Sequence, residues 1–137
     1  MLETRWREAD PASVFTVLEL GFGLGVNFLA SVRRWRQAES RPRRLAYVAI
    51  EAHPAQPSAL VDALRVMGAS PDEISEISSI WPIRLPGLHR LAFADDIELL
   101  LAFGDASEML QRLWLARTRS IWTGFLRRAI RRCGRRT

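Results

Sequence analysis

Lysine is absent: all 20 basic residues of this 137-residue chain are arginine. That bias points to GC-rich coding DNA, since arginine is encoded largely by CGN and lysine by AAA or AAG. Cysteine is nearly absent, with Cys133 alone, which excludes an internal disulfide and a cysteine-based structural zinc site and fits a reducing cytoplasm. Long apolar runs are missing too. The start, MLETRWREADPAS, has no apolar core of signal-peptide length, and Val14–Ala30 is interrupted by Glu19, Asn27 and three glycines. Secretion and membrane spanning are therefore not expected, and the expected location is the cytoplasm. Acid is missing from residues 112–137, which hold nine arginines, whereas residues 1–111 hold 11 arginines against 15 acidic residues. The net charge of +5 thus comes entirely from the C-terminal stretch. What is present, 48% hydrophobic and 26% charged residues with five tryptophans, is the composition of a folded chain with one core. No internal repeat is visible.

Phe15–Leu20 (FTVLEL) is apolar and β-branched and runs into Gly21, Gly23 and Gly25, which predicts a buried strand ending in a tight turn. From Val26 to about Gln37, Phe28, Leu29, Val32 and Trp35 recur at helical spacing between arginines, the pattern of an amphipathic helix. A polar loop with Pro42 leads to a second apolar strand, Leu45–Ile50, ending at Glu51 and completing a βαβ unit. Pro57–Met67 carries Leu60, Ala63, Leu64 and Met67 on one helical face and stops at Gly68. Residues Ser70–Leu88, rich in Pro and Ser, read mostly as loop. Arg90–Phe93 and Ile97–Phe103 flank Ala94-Asp95-Asp96 as a hairpin, and Ser107–Leu113 begins another helix. After Trp114 the chain has no clean period. Trp35, Trp81, Phe93 and Phe103 occupy apolar positions and are expected in the core.

A strand that delivers GFGLG into a helix is a cofactor-site candidate. Glycines let backbone approach a ligand, and the helix start presents free N–H groups. The spacing G-x-G-x-G lacks the third-glycine spacing of the dinucleotide fingerprint, so nicotinamide or flavin binding, as in a Rossmann oxidoreductase fragment, is the weaker alternative. Glu19, just before the turn, can reach an ammonium group. Glu51, at the end of the second strand, can accept from two ribose hydroxyls, and Asp105, ending a third, can accept from an adenine amino group. Acidic residues at the C-terminal ends of neighbouring strands converge in one crevice of an open α/β sheet and suit an adenosyl ligand with a positive amino-acid part. The expected cofactor-binding set is Glu19, Gly21, Gly23, Gly25, Asn27, Glu51 and Asp105. A glycine turn can also be just a tight strand-to-helix connection. His53 and His89 are lone histidines, more often surface or packing groups than bases. No catalytic residue and no metal ligand can be named. The basic stretch can contact RNA phosphates, which leaves a non-enzymatic RNA-binding fragment as a further alternative.

FTVLELGFGLGVNFL, YVAIEAHP, WPIRLPGLHRLAF and LLLAFGDASEML together resemble one family across about residues 15–110. It is the methyltransferase half of the bifunctional bacterial enzyme that completes 5-methylaminomethyl-2-thiouridine at the tRNA wobble position. The resemblance implies a Rossmann-like α/β methyltransferase fold, here partial: the first βαβ unit plus a β-hairpin. It also implies S-adenosylmethionine as donor and an aminomethyl-uridine of tRNA as acceptor. In the bifunctional members an FAD-dependent oxidoreductase domain follows, of which this sequence shows nothing.

The family continues with a segment resembling DAFYLDGFSPARNPQMWTPD, whose first LDG aspartate lies at the methyl-transfer site, where this chain has RTRSIWTGFLRRAIRRCGRRT. A codon built from the last base of one residue's codon and the first two of the next reconciles the two. Trp122-Thr123 forces Asp, Ile121-Trp122 allows Leu, and Thr123-Gly124 allows Gly. Downstream, Arg132-Cys133 allows Met and Cys133-Gly134 allows Trp. The expectation is a frameshift near Leu113–Arg117. It divides the chain into a partial methyltransferase domain over 1–113 and an out-of-frame basic tail over 114–137, clipped at both ends relative to the family and inactive by itself. The missing strand is expected beside Phe15–Leu20, leaving that strand with an open apolar edge.

Overall fold

The computed structural model describes residues 5, 6 and 8–117. The first strand, β1 (Val14–Leu20), runs straight into the glycine turn, after which helix α1 covers Val26–Gln37. Arg44–Glu51 forms β2, aligned parallel to β1 from Val14↔Arg44 to Leu20↔Ile50, so the expected βαβ unit is present. Helix α2 (Pro57–Val66) follows, with Pro57 at its start, where the missing N–H costs nothing.

The stretch expected to be loop is the main departure. Pro71–Ile80 is a helix, α3, begun by a capping box: the Ser70 hydroxyl accepts from the Glu73 N–H and the Glu73 carboxylate accepts from the Ser70 N–H. Ser, Pro and Glu here mark a helix start rather than a loop. The loop reading holds for residues 81–86 alone.

The hairpin is longer than expected, β3 (Gly87–Ala94) pairing antiparallel with β4 (Ile97–Phe103) and slipping register between Ala92 and Ala94. β4 lies parallel to β2, which gives a mixed four-stranded sheet in the order β1-β2-β4-β3. The last helix, α4, covers Ala106–Arg117. Of the expected tail, residues 118–137 lie outside the described residues.

Side chains alternate across a strand, so the two apolar clusters mark the two sheet faces. On one face, Phe28, Leu29, Val32 and Trp35 of α1, Leu60 and Leu64 of α2 and Ile77 of α3 pack on Leu45, Tyr47 and Ala49 of β2 and on Leu99, Leu101 and Phe103 of β4. On the other, Met109 and Leu113 of α4 cover Val48, Ile50 and Ala102. Trp35 and Phe103 are buried as expected; Trp81 and Phe93 are half-buried against the same core. The Trp35 indole N–H donates to the Asp96 carboxylate at 2.8 Å and ties the hairpin turn to α1. Two guanidinium–carboxylate pairs join α1 to α3, a bidentate Arg33–Glu73 at 2.6 and 2.7 Å and Arg36–Glu76 at 3.1 Å.

Candidate functional site

β1, β2 and β4 are parallel, so their C-terminal ends open on one side of the sheet, and the loops that follow them meet there. Two backbone hydrogen bonds across the strand ends hold them together: the Gly21 N–H to Ile50 O at 2.7 Å and the Gly104 N–H to Glu51 O at 2.9 Å. The three acidic positions picked from the sequence are therefore brought to the same rim.

Glu51 carries the geometry. One carboxylate oxygen accepts from the Gly23 N–H at 2.8 Å and the other from the His53 N–H at 2.8 Å, so this side chain fastens the glycine bend to the loop after β2. Each oxygen retains lone-pair capacity for a hydroxyl donor. Glu19 has both oxygens engaged, accepting from the Asn27 side-chain amide at 2.6 Å and from the Tyr47 hydroxyl at 2.8 Å. Burial, followed by the bond to Glu19, pushes the Tyr47 phenol far above its ordinary range, so it remains a donor. In this arrangement Glu19 and Asn27 anchor the start of α1. Asp105 is exposed, and one of its oxygens accepts from the Ser107 and Glu108 N–H groups at 2.9 and 3.2 Å, capping α4.

The glycines divide into two kinds. Gly23 (φ +57°) is exposed, and a β-carbon there would meet no atom within 4 Å; the same open space lies beside Gly21. Gly25 (φ +76°) is buried, and a β-carbon would come within 3.2 Å of the Phe22 ring. Gly21 and Gly23 leave room for a ligand, whereas Gly25 is required by packing. Helix α1 starts without a side-chain cap and without an acidic residue in its own first turn, so backbone N–H groups at its N-terminus face the same space.

An aromatic column behind the rim was not foreseen. Phe22 stacks on Trp81 (centroids 5.7 Å apart, 29° between planes), Trp81 meets Phe103 at 6.0 Å, and Phe103 meets His89 at 4.8 Å. His89 Nε2 lies 2.8 Å from Leu85 O, while His53 is exposed in the loop after β2. Its apolar side chain leads to Trp81 being expected in the core, but nothing in the sequence says that it touches two rim segments. Among the described residues no group of three or more His, Cys, Asp or Glu could hold a metal, and no helix is long and apolar enough to cross a membrane.

No family model matches the chain. Curated proteins do. It is 46% identical over 115 residues, 80% of its length, to the tRNA 5-methylaminomethyl-2-thiouridine biosynthesis bifunctional protein MnmC of Burkholderia ambifaria. It is 40% identical over 117 aligned positions to the protein of that name from Thiobacillus denitrificans and 36% identical to that of Paraburkholderia xenovorans in a gapped alignment of 151 positions that covers 96% of the chain. The chain spans only about a fifth of the length of these relatives, 17%, 18% and 22% respectively. Among solved structures, MNMC2 from Aquifex aeolicus is similar with a TM-score of 0.49 and 18% identity, covering 80% of this chain and 30% of that one.

Proposed function

We propose, on the premise that the chain is homologous over most of its length to one segment of the MnmC tRNA-modification proteins, that it carries the S-adenosylmethionine-binding portion of a methyltransferase. The acceptor is the aminomethyl group of a modified wobble uridine in tRNA. The observation that carries this reading is the Glu51 carboxylate bonded to the Gly23 N–H beside open space at Gly21 and Gly23. It puts a hydroxyl-accepting carboxylate next to a backbone surface that a ligand can approach.

The donor set fits the group. Glu51 would take the ribose hydroxyls, the uncapped start of α1 and the Gly21 and Gly23 backbone would take the polar amino-acid portion, and Asp105 would accept from the adenine amino group through lone pairs not used in capping α4. Glu19 acts mainly by holding Asn27 and Tyr47, and so keeps the bend in register. When bound, the donor supplies the methyl group; the residues described here bind and orient it and hold no proton of the reaction. Transfer from such a site depends on alignment with an unprotonated amine.

The fold supports a doubly wound, Rossmann-like architecture. Helix α4 covers the face opposite α1, so a right-handed crossover from it leads toward the edge of β1 that has no strand partner among the described residues, where one more parallel strand fits. On this reading the chain holds the donor edge of the domain and not its transfer site, and it is inactive alone.

Paired calorimetric titrations with S-adenosylmethionine and NADH test the reading. Saturable binding of the first and none of the second is expected; the reverse selects the nicotinamide alternative raised by the glycine turn.

A further inference from the structure

We infer that Trp81 is a positioning residue for the crevice, acting through Glu51; the inference rests on the donor-site reading above. Trp81 is the C-cap of α3, its backbone N–H returning to Ser78 O at 3.3 Å, and from there its indole reaches two separate chain segments. The indole N–H donates to Ala55 O at 3.2 Å, in the loop after β2. The ring face stacks on Phe22, in the middle of the glycine bend.

Phe22 cannot drift independently. Phe22 is 3% exposed, and its ring lies against both Trp81 and the backbone of Gly25, where a β-carbon would come within a tight 3.2 Å of it. The bend is therefore wedged from behind by Trp81, and the loop after β2 is tied to the same indole. Glu51 spans the same two segments from the front, through the Gly23 and His53 N–H groups. Front and rear links set one distance, the gap between the bend and the loop, and that gap fixes where the Glu51 carboxylate points.

Without the Ala55 link, residues 52–56 are free to shift, His53 with them, and Glu51 loses a defined orientation. Binding weakens although no group that touches the ligand has been removed. This differs from a packing role, in which loss of the ring would lower stability and leave the geometry of Glu51 alone.

The test is W81F in the full chain, which retains a ring to stack on Phe22 and removes the indole donor. Affinity for S-adenosylmethionine is expected to fall about fivefold, in line with one net hydrogen bond. The thermal midpoint should hold, and amide exchange should quicken in residues 21–25 and 52–56 together. Because Trp81 acts through Glu51, W81F should cost little further affinity in an E51Q background, whereas independent effects would add. F22L, which keeps the indole–Ala55 link, reads the coupling from the other side: exchange in 52–56 should rise with that in 21–25, even if W81F does not fold. Equal affinity of W81F and the unaltered chain, additivity with E51Q, or exchange confined to one segment overturns the inference alone. An unaltered chain that binds no S-adenosylmethionine overturns the donor-site reading, and the inference with it.

Discussion

Arg33 and Glu73 show how single residues set the frame on which the site stands. Their bidentate pair links α1, whose first turn borders the crevice, to the start of α3, whose last residue leads into Trp81. The Arg33 hydrogen bond is the main cause that lowers the Glu73 carboxyl to about 2, helped by the Ser70 N–H. A carboxyl lowered on folding contributes stability that is complete above its unfolded value, near 4.5, and is lost as pH falls through about 2. Replacing Glu73 by Gln is expected to cost about 1 kcal/mol at pH 7, because Arg33 is partly solvent-exposed and its pairing correspondingly screened. The deficit should shrink to a small remainder near pH 2, where the Glu73 carboxyl is half protonated. Urea denaturation of both proteins at the two pH values checks this, and an equal deficit at both would assign the effect to capping geometry rather than to the ion pair.

At the scale of elements, the sequence announces those whose pattern is carried by neighbours in the chain. FTVLEL running into GFGLG, the 3.6-residue recurrence of Phe28, Leu29, Val32 and Trp35, and the apolar block before Glu51 give β1, α1 and β2 to within a residue or two. Helix α3 is missed for a specific reason. Its apolar residues are few, with Ile77 buried and Ile74 and Ile80 only partly so, and the serines among them weaken the helical period. The signal that was available is Ser70-Pro71-Asp72-Glu73, a capping box with proline at the first helical position. The extra length of β3 is hard to read for a different reason: its residues alternate between half-buried and exposed at the sheet edge, without the apolar block that marks β2. Within the site, Glu51 and the glycines are visible from type and spacing. That Glu19 serves Asn27 and Tyr47, that Asp105 caps α4 and that Trp81 reaches Ala55 are tertiary facts, joining residues whose pairing no local pattern encodes.

At the scale of the molecule, the two edges of the sheet differ among the described residues. β3 closes one side with a register slip and an exposed Arg90 paired to Glu98, features that discourage further strand pairing. Among the described residues β1 pairs only with β2, and Val14 (53% exposed) and Leu20 (59%) leave apolar surface along it. An uncovered apolar strand edge templates association. The chain is expected to self-associate as its concentration rises, and V14K, which puts a charge on that edge far from the crevice, should shift it toward monomer. Sedimentation velocity over a concentration series decides the matter, since equal association of the two proteins would remove β1 as the contact.

The central claim is that the glycine bend, Glu51 and the loop after β4 surround a single adenosyl group. The most direct measurement is the set of glycine amide resonances during titration of the uniformly 15N-labelled chain with S-adenosylmethionine. Gly21, Gly23 and Gly104 should move together with one dissociation constant, while Gly68, at the far end of α2, stays still. Movement of Gly21 and Gly23 without Gly104, or no movement at any of the three under saturating ligand, would contradict the account.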